Sequence, residues 1–201
     1  MIGMLVREVM TTPVVTVAST ATVKQAIRLL YERDITAVPV VNGGGRVVGI
    51  VSEMDLLRNE FEADPRAFAR PVSPPDTMPP RRVDELMTRQ VMTVRETTDV
   101  AELAELMMTT GVKSVPVMRE SRLVGIVSRR DLMGVLARSD ERIRDDVVAA
   151  LDEYEAGGPN WDVAVRDGVV ELSGRADVAT EHIADILTRT VPGVVRVVHV
   201  A

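Results

Sequence analysis

The sequence predicts a mixed α/β protein, with two β-α-β-β-α repeats followed by a smaller α-β-β-α-β domain. Three observations lead to this prediction: an internal duplication, apolar residues at helical and strand spacing in both copies, and a different order of elements in the last third of the chain. The 201 residues are 46% apolar and 27% charged, which is typical of a folded chain with one large domain or two small ones.

The duplication is visible when the chain is aligned with itself. Residues 6–41 match residues 83–118 at a constant offset of 77, with 13 identities in 36 pairs. After the next turn the offset becomes 76, and residues 46–52 match residues 122–128. Agreement over this length does not arise by chance, so the first 138 residues contain a tandem repeat.

The residue pattern predicts the same secondary-structure elements in both copies. A short β run, at residues 14–17 or 91–94, leads into an amphipathic helix, a Val-Pro-Val strand, a turn and a second apolar strand. In the first copy the turn is the Asn-Gly-Gly-Gly of residues 42–45. The second strand ends in Ser-x-x-Asp, which opens another helix. Each copy is small for a separate core, so we expect the two to pack about a pseudo-twofold axis. The apolar helix positions are Val23, Ala26, Ile27 and Leu30 in the first copy, and Val100, Leu103, Ala104 and Met107 in the second.

Composition divides the chain into four parts: repeat 1 at residues 1–62, a linker at 63–81, repeat 2 at 82–138, and a C-terminal domain at 139–201. Six of the 11 prolines lie between Pro65 and Pro80, so the linker is predicted to be a stiff, extended spacer. The alternative interpretation is a proline-rich docking motif for a partner.

The C-terminal domain is acidic and follows its own plan. From Glu141 onward there are 12 acidic and 6 basic residues, whereas residues 1–140 carry 18 of each, so the whole net charge of −6 lies here. A helix that ends at Gly157-Gly158-Pro159 precedes a hairpin with its turn at residues 166–168. A second helix over residues 178–190 and a strand over 194–200 complete the order. The side chains singled out are Ile143, Val147, Ala150, Leu151 and Tyr154 on the first helix, Trp161 as a core or interface anchor, and His182 and His199 as surface or boundary residues.

Composition also excludes several functions. The absence of cysteine excludes disulfides, thiol nucleophiles and cysteine-ligated metals, and the only two histidines lie in the last 20 residues. No nucleophile–base pair, metal-ligand cluster or phosphate-binding glycine loop is apparent, so we predict a protein that is not an enzyme and needs no cofactor or metal. The acidic balance argues against nucleic-acid binding. Without a long apolar segment, a cytoplasmic location is the expectation.

The duplicated pattern resembles the tandem CBS-domain pair, or Bateman module. The residues that carry the resemblance are the Val-Met-Thr starts, the two Val-Pro-Val strands, and Gly-Ile-Val-Ser-x-x-Asp in both copies, over roughly residues 5–138. The resemblance implies a pseudo-symmetric, usually dimeric unit that binds adenosine nucleotides or related ligands in clefts between the repeats. It also implies that binding regulates an attached enzyme or transporter, or a separate partner.

The resemblance assigns the ligand-binding residues. Ser128 and Ser52 would seat phosphate at a helix N-terminus, and Asp131 and Asp55 would accept the ribose hydroxyls. Because Arg129 and Arg130 follow Ser128, an anionic ligand should prefer that cleft, with AMP, ADP, ATP or S-adenosylmethionine as candidates. The predicted first cleft also contains Ile126, Val15, Ile35, Thr36 and Lys113, and the second contains Ile50, Met92 and Val112.

These residues also have structural interpretations. A serine followed three residues later by an acid is close to a capping box, which needs no ligand. Arg129 and Arg130 could equally be a solvated first helical turn. Capping and nucleotide binding are compatible, since a ribose could share the aspartate.

The C-terminal motifs Asp-Gly-Val-Val-Glu-Leu-Ser-Gly-Arg and Val-Pro-Gly-Val-Val-Arg-Val resemble the BON domain, a small module proposed to bind phospholipid or partner proteins. Its negative charge disfavours anionic lipid. The leading hypothesis is therefore a homodimeric adenosine-ligand sensor that signals through its oligomer packing or its BON-like domain. The alternative is a scaffold with empty CBS clefts whose BON-like domain binds a protein or phospholipid.

Overall fold

The structure is a computed structural model, and it describes residues 3–58, 81–154, 161–174 and 176–200. The predicted linker, except Arg81, and the predicted helix end at residues 157–159 lie outside the described residues. The chain divides into two compact units. One contains Thr12–Thr93 with Met118–Gly125, and the other contains Met1–Thr11, Val94–Val117 and Ile126–Ala201.

The first repeat forms a three-stranded sheet with two helices, in the predicted β-α-β-β-α order. The sheet order is β1-β2-β3, with β1 parallel and β3 antiparallel to β2. Valines of β2 and β3 and the apolar face of α1 form its core. The elements are β1 (Val17–Ala18), α1 (Val23–Arg33), β2 (Ala37–Val41), β3 (Val47–Ser52) and α2 (Glu53–Leu57).

The ends of α1 follow from its flanking residues. Thr22 accepts the backbone N–H of Gln25 at its hydroxyl, and the Gln25 side chain accepts the Thr22 N–H, so a capping box starts the helix. Asp34 ends the helix in the left-handed conformation, with φ of 51°. The predicted apolar face is confirmed, since Val23 and Leu30 are buried beside Ala26.

The second repeat has the same element order, and its sheet runs β4-β5-β6. Asp99 caps the first helix by accepting the N–H of Ala101, and Gly111 ends that helix with φ of 75°. The predicted positions Leu103 and Met107 are buried. The elements are β4 (Val94–Arg95), α3 (Val100–Thr110), β5 (Ser114–Arg119), β6 (Arg122–Ser128) and α4 (Arg129–Leu136).

The opening strand of each repeat is shorter than the sequence predicts. Only Val17 of the predicted run 14–17, and only Val94 of the run 91–94, belongs to a strand. Pro13 has no N–H to donate to a ladder, and the N–H of Val91 is used locally on the carbonyl of Arg89. Irregular chain therefore replaces residues 14–16 and 91–93 of the two predicted strands.

The opening segment of each repeat packs against the other repeat. In one unit, the Val6 N–H donates to the carbonyl of Thr98 at 2.9 Å, and the Val100 N–H donates to that of Met4 at 2.8 Å. Met4 and Val6 are buried there. This lead segment, residues 4–11, thus belongs to the unit that holds α3 and α4.

The second lead segment, residues 81–88, has the corresponding arrangement in the other unit. The Val83 N–H donates to the carbonyl of Ala21, and the Val23 N–H donates to that of Arg81, both at 3.0 Å. Val83 and Met87 belong to the core of the first repeat. The two lead segments are therefore exchanged between the repeats.

The C-terminal region has the predicted α-β-β-α-β order and its own core, which includes Ile143, Val147 and Leu151. Its hairpin turns at Asp167 and Gly168, whose φ angles of 49° and 73° match the predicted glycine turn. The last strand starts two residues later than predicted. The elements are α5 (Asp140–Tyr154), β7 (Asp162–Arg166), β8 (Val169–Ser173), α6 (Val178–Thr190) and β9 (Arg196–Val200), in a sheet of order β7-β8-β9.

Candidate functional site

The first candidate site lies where β6 runs into α4. The Ser128 N–H and hydroxyl both donate to Oδ2 of Asp131, at 2.6 and 2.7 Å, and the Asp131 N–H donates back to the Ser128 hydroxyl at 3.3 Å. This is a complete capping box, so the structural interpretation of the motif is confirmed. It orients a half-buried carboxylate at the start of the helix.

The other carboxylate oxygen of Asp131 has a different partner. The Thr11 hydroxyl donates to Asp131 Oδ1 at 3.4 Å, and Thr11 reaches this point because its backbone pairs with Ile126 in both directions. Sequence reasoning did not assign Thr11 to the site. The signal that could have identified it is the Met-Thr pair, which stands at residues 10–11 and again at 87–88.

Arg129 is held by the end of the preceding helix. Its Nη2 donates to the carbonyl of Met107 at 2.9 Å, and its Nε donates to that of Val112 at 3.1 Å. Its backbone N–H donates to the carbonyl of Lys113 at 3.0 Å. A cation is favourable at the C-terminus of α3, where backbone carbonyls lack helical partners. The guanidinium thus joins α4 to the last turn of α3 and to the loop between α3 and β5.

The second candidate site, where β3 runs into α2, repeats the same geometry. The Ser52 N–H and hydroxyl donate to Asp55 Oδ2 at 2.9 and 2.7 Å, and the Asp55 N–H donates to the Ser52 hydroxyl at 3.4 Å. Glu53 donates its N–H to the Thr36 carbonyl. No hydrogen bond reaches Asp55 Oδ1 within the part of the chain that the structure describes.

Gly49 allows the second lead segment to approach this strand closely. A Cβ at Gly49 would lie 2.5 Å from Sδ of Met87 and 3.1 Å from the carbonyl oxygen of Thr88. The backbones of Thr88 and Ile50 pair in both directions, at 2.9 and 3.0 Å. The glycine of Gly-Ile-Val-Ser is therefore a packing requirement.

The remaining predicted ligand residues are half-buried or exposed in their own units. Val15 and Ile35 are half-buried against the core of the first repeat, and Thr36 is exposed beside Glu53. Val112 is half-buried, whereas Lys113 is exposed next to Arg129. The roles assigned to these residues, and their grouping into two clefts, stay predictions. Ile50 and Ile126 are half-buried, and Met92 and Arg130 are exposed.

The histidines and the tryptophan of the C-terminal region lie at its surface and boundary. His182 is exposed, and His199 lies 3.9 Å from Asp185 through Nε2 and edge-on to Trp161, with ring centroids 6.1 Å apart. Trp161 packs against the C-terminal core. The guanidinium of Arg189 beside Asp185 has a raised pKa because it donates a 2.7 Å hydrogen bond to that carboxylate.

Two searches of the described residues bear on the kind of site. Among the described residues, no group of three or more His, Cys, Asp or Glu side chains is arranged to hold a metal ion. A search of the same residues for a helix with the length and apolar character of a membrane span found none.

Comparison with known proteins identifies the family. The model of the CBS domain matches residues 6–62 and 83–138, which together make up more than half of the chain. The chain belongs to the CBS-domain family, and the predicted tandem pair is confirmed. Residues 139–201 lie outside both matches, so the BON resemblance has no support from this comparison.

Two relatives illustrate the range of proteins that are similar to this chain. An uncharacterised 17.7 kDa protein of Acidianus ambivalens is 30% identical over 65% of this chain and 72% of its own length. The A-adding tRNA nucleotidyltransferase of Aquifex aeolicus is 28% identical over 69% of this chain, but only 15% of the enzyme is covered. The similarity to that enzyme therefore concerns a small part of its length.

Two similar solved structures contain adenosine ligands. The CBS-domain pair of MJ0100, in complex with 5′-methylthioadenosine and S-adenosyl-L-methionine, is 26% identical with a TM-score of 0.53, over 65% of this chain and 94% of its own. CBSX2 in complex with AMP is 27% identical with a TM-score of 0.53, over 66% of this chain and 95% of its own.

Proposed function

We propose that this protein is a regulatory sensor that binds AMP or a related adenosyl compound at the Ser128–Asp131 end of β6. One observation carries the proposal. Oδ2 of Asp131 is used by the capping box, whereas the one hydrogen bond that Oδ1 accepts from the described residues is a long one of 3.4 Å from Thr11. A carboxylate oxygen has room for a further donor, so a ribose hydroxyl could bind Oδ1 and leave the cap intact. Asp55 Oδ1 offers the same room, and the Ser128–Asp131 site is preferred because Arg129 and Arg130 follow Ser128, whereas the acidic Glu53 follows Ser52.

The ligand class comes from the relatives. The MJ0100 pair binds 5′-methylthioadenosine and S-adenosyl-L-methionine, and CBSX2 binds AMP. These ligands share adenosine and differ in charge, which supports the adenosine moiety as the recognised part. ADP, ATP and S-adenosylmethionine are the other candidates for this chain.

In this proposal Arg129 positions the site and does not bind phosphate directly. Its guanidinium already donates to the carbonyls of Met107 and Val112, and a phosphate would have to compete with both. The phosphate would instead approach the first N–H groups of α4, at the positive end of the helix dipole.

The C-terminal region would pass the signal on. Its α-β-β-α-β order supports a BON-like domain, and its 12 acidic against 6 basic residues favour a partner protein over anionic lipid. We expect no catalytic activity of its own and a homodimer in solution.

Thermal unfolding with AMP, ADP, ATP and S-adenosylmethionine tests the proposal. A ligand that binds only the folded state, at a free concentration of 100 times its Kd, adds about 2.7 kcal/mol to the free energy of unfolding. The Asp131→Ala variant should lose this stabilisation, while its ligand-free form loses only about 1 kcal/mol from the broken cap.

Asp55→Ala is the matched control, because it breaks the equivalent capping box of the first repeat. It should lower the stability by a similar amount and keep the nucleotide response. Equal responses in the parent and in Asp131→Ala would exclude the Ser128–Asp131 site. No response to any adenosyl compound would leave the scaffold hypothesis in its place.

A further inference from the structure

A cleft of about 600 Å³ opens at the tip of the β2–β3 hairpin. It is lined by Pro13 and Val14 before β1, by residues 44–46 of the hairpin turn, and by residues 121–124 at the start of β6. All of these belong to the unit that holds the first repeat. Pockets for small molecules have volumes of roughly 300–1,000 Å³, so the cleft is large enough for one.

The cleft is distinct from the Ser52 site of the same unit. Arg46 comes just before β3 and Ser52 ends it, so the two lie six residues apart along an extended strand. At about 3.3 Å per residue this separation is about 20 Å. Arg122 and Ser128 are likewise the first and last residues of β6.

Two arginines give the cleft its charge. Arg46 and Arg122 occupy equivalent positions of the two repeats, and both line the cleft. Among the described residues, the lining contains no carboxylate and neither guanidinium forms an ion pair. Glu120, the acidic residue nearest to Arg122 in the sequence, does not line the cleft. Two positive charges thus face one space in a protein whose net charge is −6.

The hairpin turn is held in place by its own hydrogen bonds. Oδ1 of Asn42 accepts the N–H groups of Gly44 and Arg46, both at 3.0 Å, and Gly45 adopts φ of 74°. The backbone of Arg46 is therefore fixed beside the cleft. The turn is the predicted hairpin turn, and its contribution to binding would come from the Arg46 side chain.

We propose that this cleft binds a small organic phosphate, with the phosphate group between Arg46 and Arg122. The planar guanidinium donates two parallel hydrogen bonds to phosphate oxygens, and two such groups match a dianion. The side chains of Pro13, Val14 and Leu123 provide an apolar surface for the organic part. The hydroxyls of Thr16 and Ser121 add polar contacts.

Isothermal titration calorimetry on the full chain, with phenyl phosphate and inorganic phosphate as probes, tests the proposal. Phenyl phosphate should bind more tightly than inorganic phosphate because of the apolar surface. Arg46→Gln and Arg122→Gln should each weaken the binding of phenyl phosphate by about tenfold, which is the usual effect of losing one hydrogen bond to a charged group. Both side chains are exposed, so the variants should unfold at the parent temperature.

Arg33→Gln is the matched control, since it removes an exposed arginine of the same unit that does not line the cleft. It should leave phenyl phosphate binding unchanged, as should Asp131→Ala. The proposal is overturned if phenyl phosphate at millimolar concentration does not bind, or if Arg33→Gln weakens its binding as much as the cleft variants do. It is also overturned if phenyl phosphate still binds to the double variant, which combines Arg46→Gln and Arg122→Gln. Retention of the AMP response by the double variant would separate this cleft from the adenosyl site.

Discussion

At the scale of single residues, Gly49 shows how a motif position can serve packing. A methyl group there would meet Met87, which is buried, and the carbonyl of Thr88, which is held by its pairing with Ile50. The Met87 side chain would have to shift, and the Thr88 carbonyl cannot withdraw without lengthening its backbone pairing with Ile50. The glycine is thus needed for the close approach of two backbones.

We expect Gly49→Ala to destabilise the protein by about 1–3 kcal/mol, the usual cost of an overpacked site. Urea unfolding followed by circular dichroism would measure the change. An unchanged midpoint would mean that the lead segment does not pack on Gly49.

Gly134→Ala is a control for which we expect the opposite change in the free energy of unfolding. Gly134 lies inside α4, and a Cβ there has no heavy atom within 4 Å. Alanine favours the helix over glycine, so we expect a gain of about 0.5–1 kcal/mol. If Gly134→Ala lowered the stability, alanine would be unfavourable even where a Cβ has free space. The loss at Gly49→Ala could then not be attributed to crowding.

At the scale of elements, Arg129 connects the end of α3 with the start of α4. We expect Arg129→Gln to lower the free energy of unfolding by about 1 kcal/mol, because two backbone carbonyls lose their charged donor. Thermal unfolding with and without AMP would measure both the stability and the nucleotide response. Arg142→Gln, at an exposed position of α5, provides the charge-matched control.

The nucleotide response decides the role of Arg129. If the residue positions the site, the variant melts earlier and still gains stability from AMP. A variant that melts normally but does not respond to AMP would instead make Arg129 a phosphate ligand.

The start of α6 predicts a pH dependence. The pKa of Asp177 lies below its usual value because the carboxylate accepts the backbone N–H of Thr180 at 2.8 Å. A lowered folded pKa means that the stabilisation is complete above the unfolded value of about 3.9 and is lost as the pH falls through the folded value. Asp177→Asn keeps a cap but does not titrate.

We therefore expect the difference in unfolding free energy between the parent and Asp177→Asn to be constant from pH 7 to about pH 5 and to decrease towards pH 3. Urea titrations at each pH would measure it. A difference that stays constant down to pH 3 would show that the Asp177 carboxylate is not selectively stabilised in the folded state.

At the scale of the whole molecule, charge is divided unevenly. Residues 1–140 are balanced, whereas residues 141–201 carry the net −6. Anionic lipid surfaces attract basic segments and repel acidic ones. We expect the full chain to stay in the supernatant when it is centrifuged with phosphatidylserine vesicles at low salt. Co-sedimentation with these vesicles but not with neutral phosphatidylcholine would contradict this and restore the lipid interpretation.

The sequence by itself determined the repeats, their element order and the capping boxes. Apolar spacing predicted the faces of α1 and α3, and Ser-x-x-Asp predicted both helix starts, because these signals operate over a few residues. The CBS family followed from the same local motifs. The C-terminal element order was predictable for the same reason.

The tertiary structure alone decided which distant residues meet. The exchange of the two lead segments, the hydrogen bond from Thr11 to Asp131 and the bond from Arg129 to Met107 join residues that are far apart in the chain. Such contacts leave no periodic signal in the sequence, since they depend on how whole elements pack. The cleft between Arg46 and Arg122 exists only because the fold brings together the β2–β3 turn of the first repeat and the start of β6 of the second.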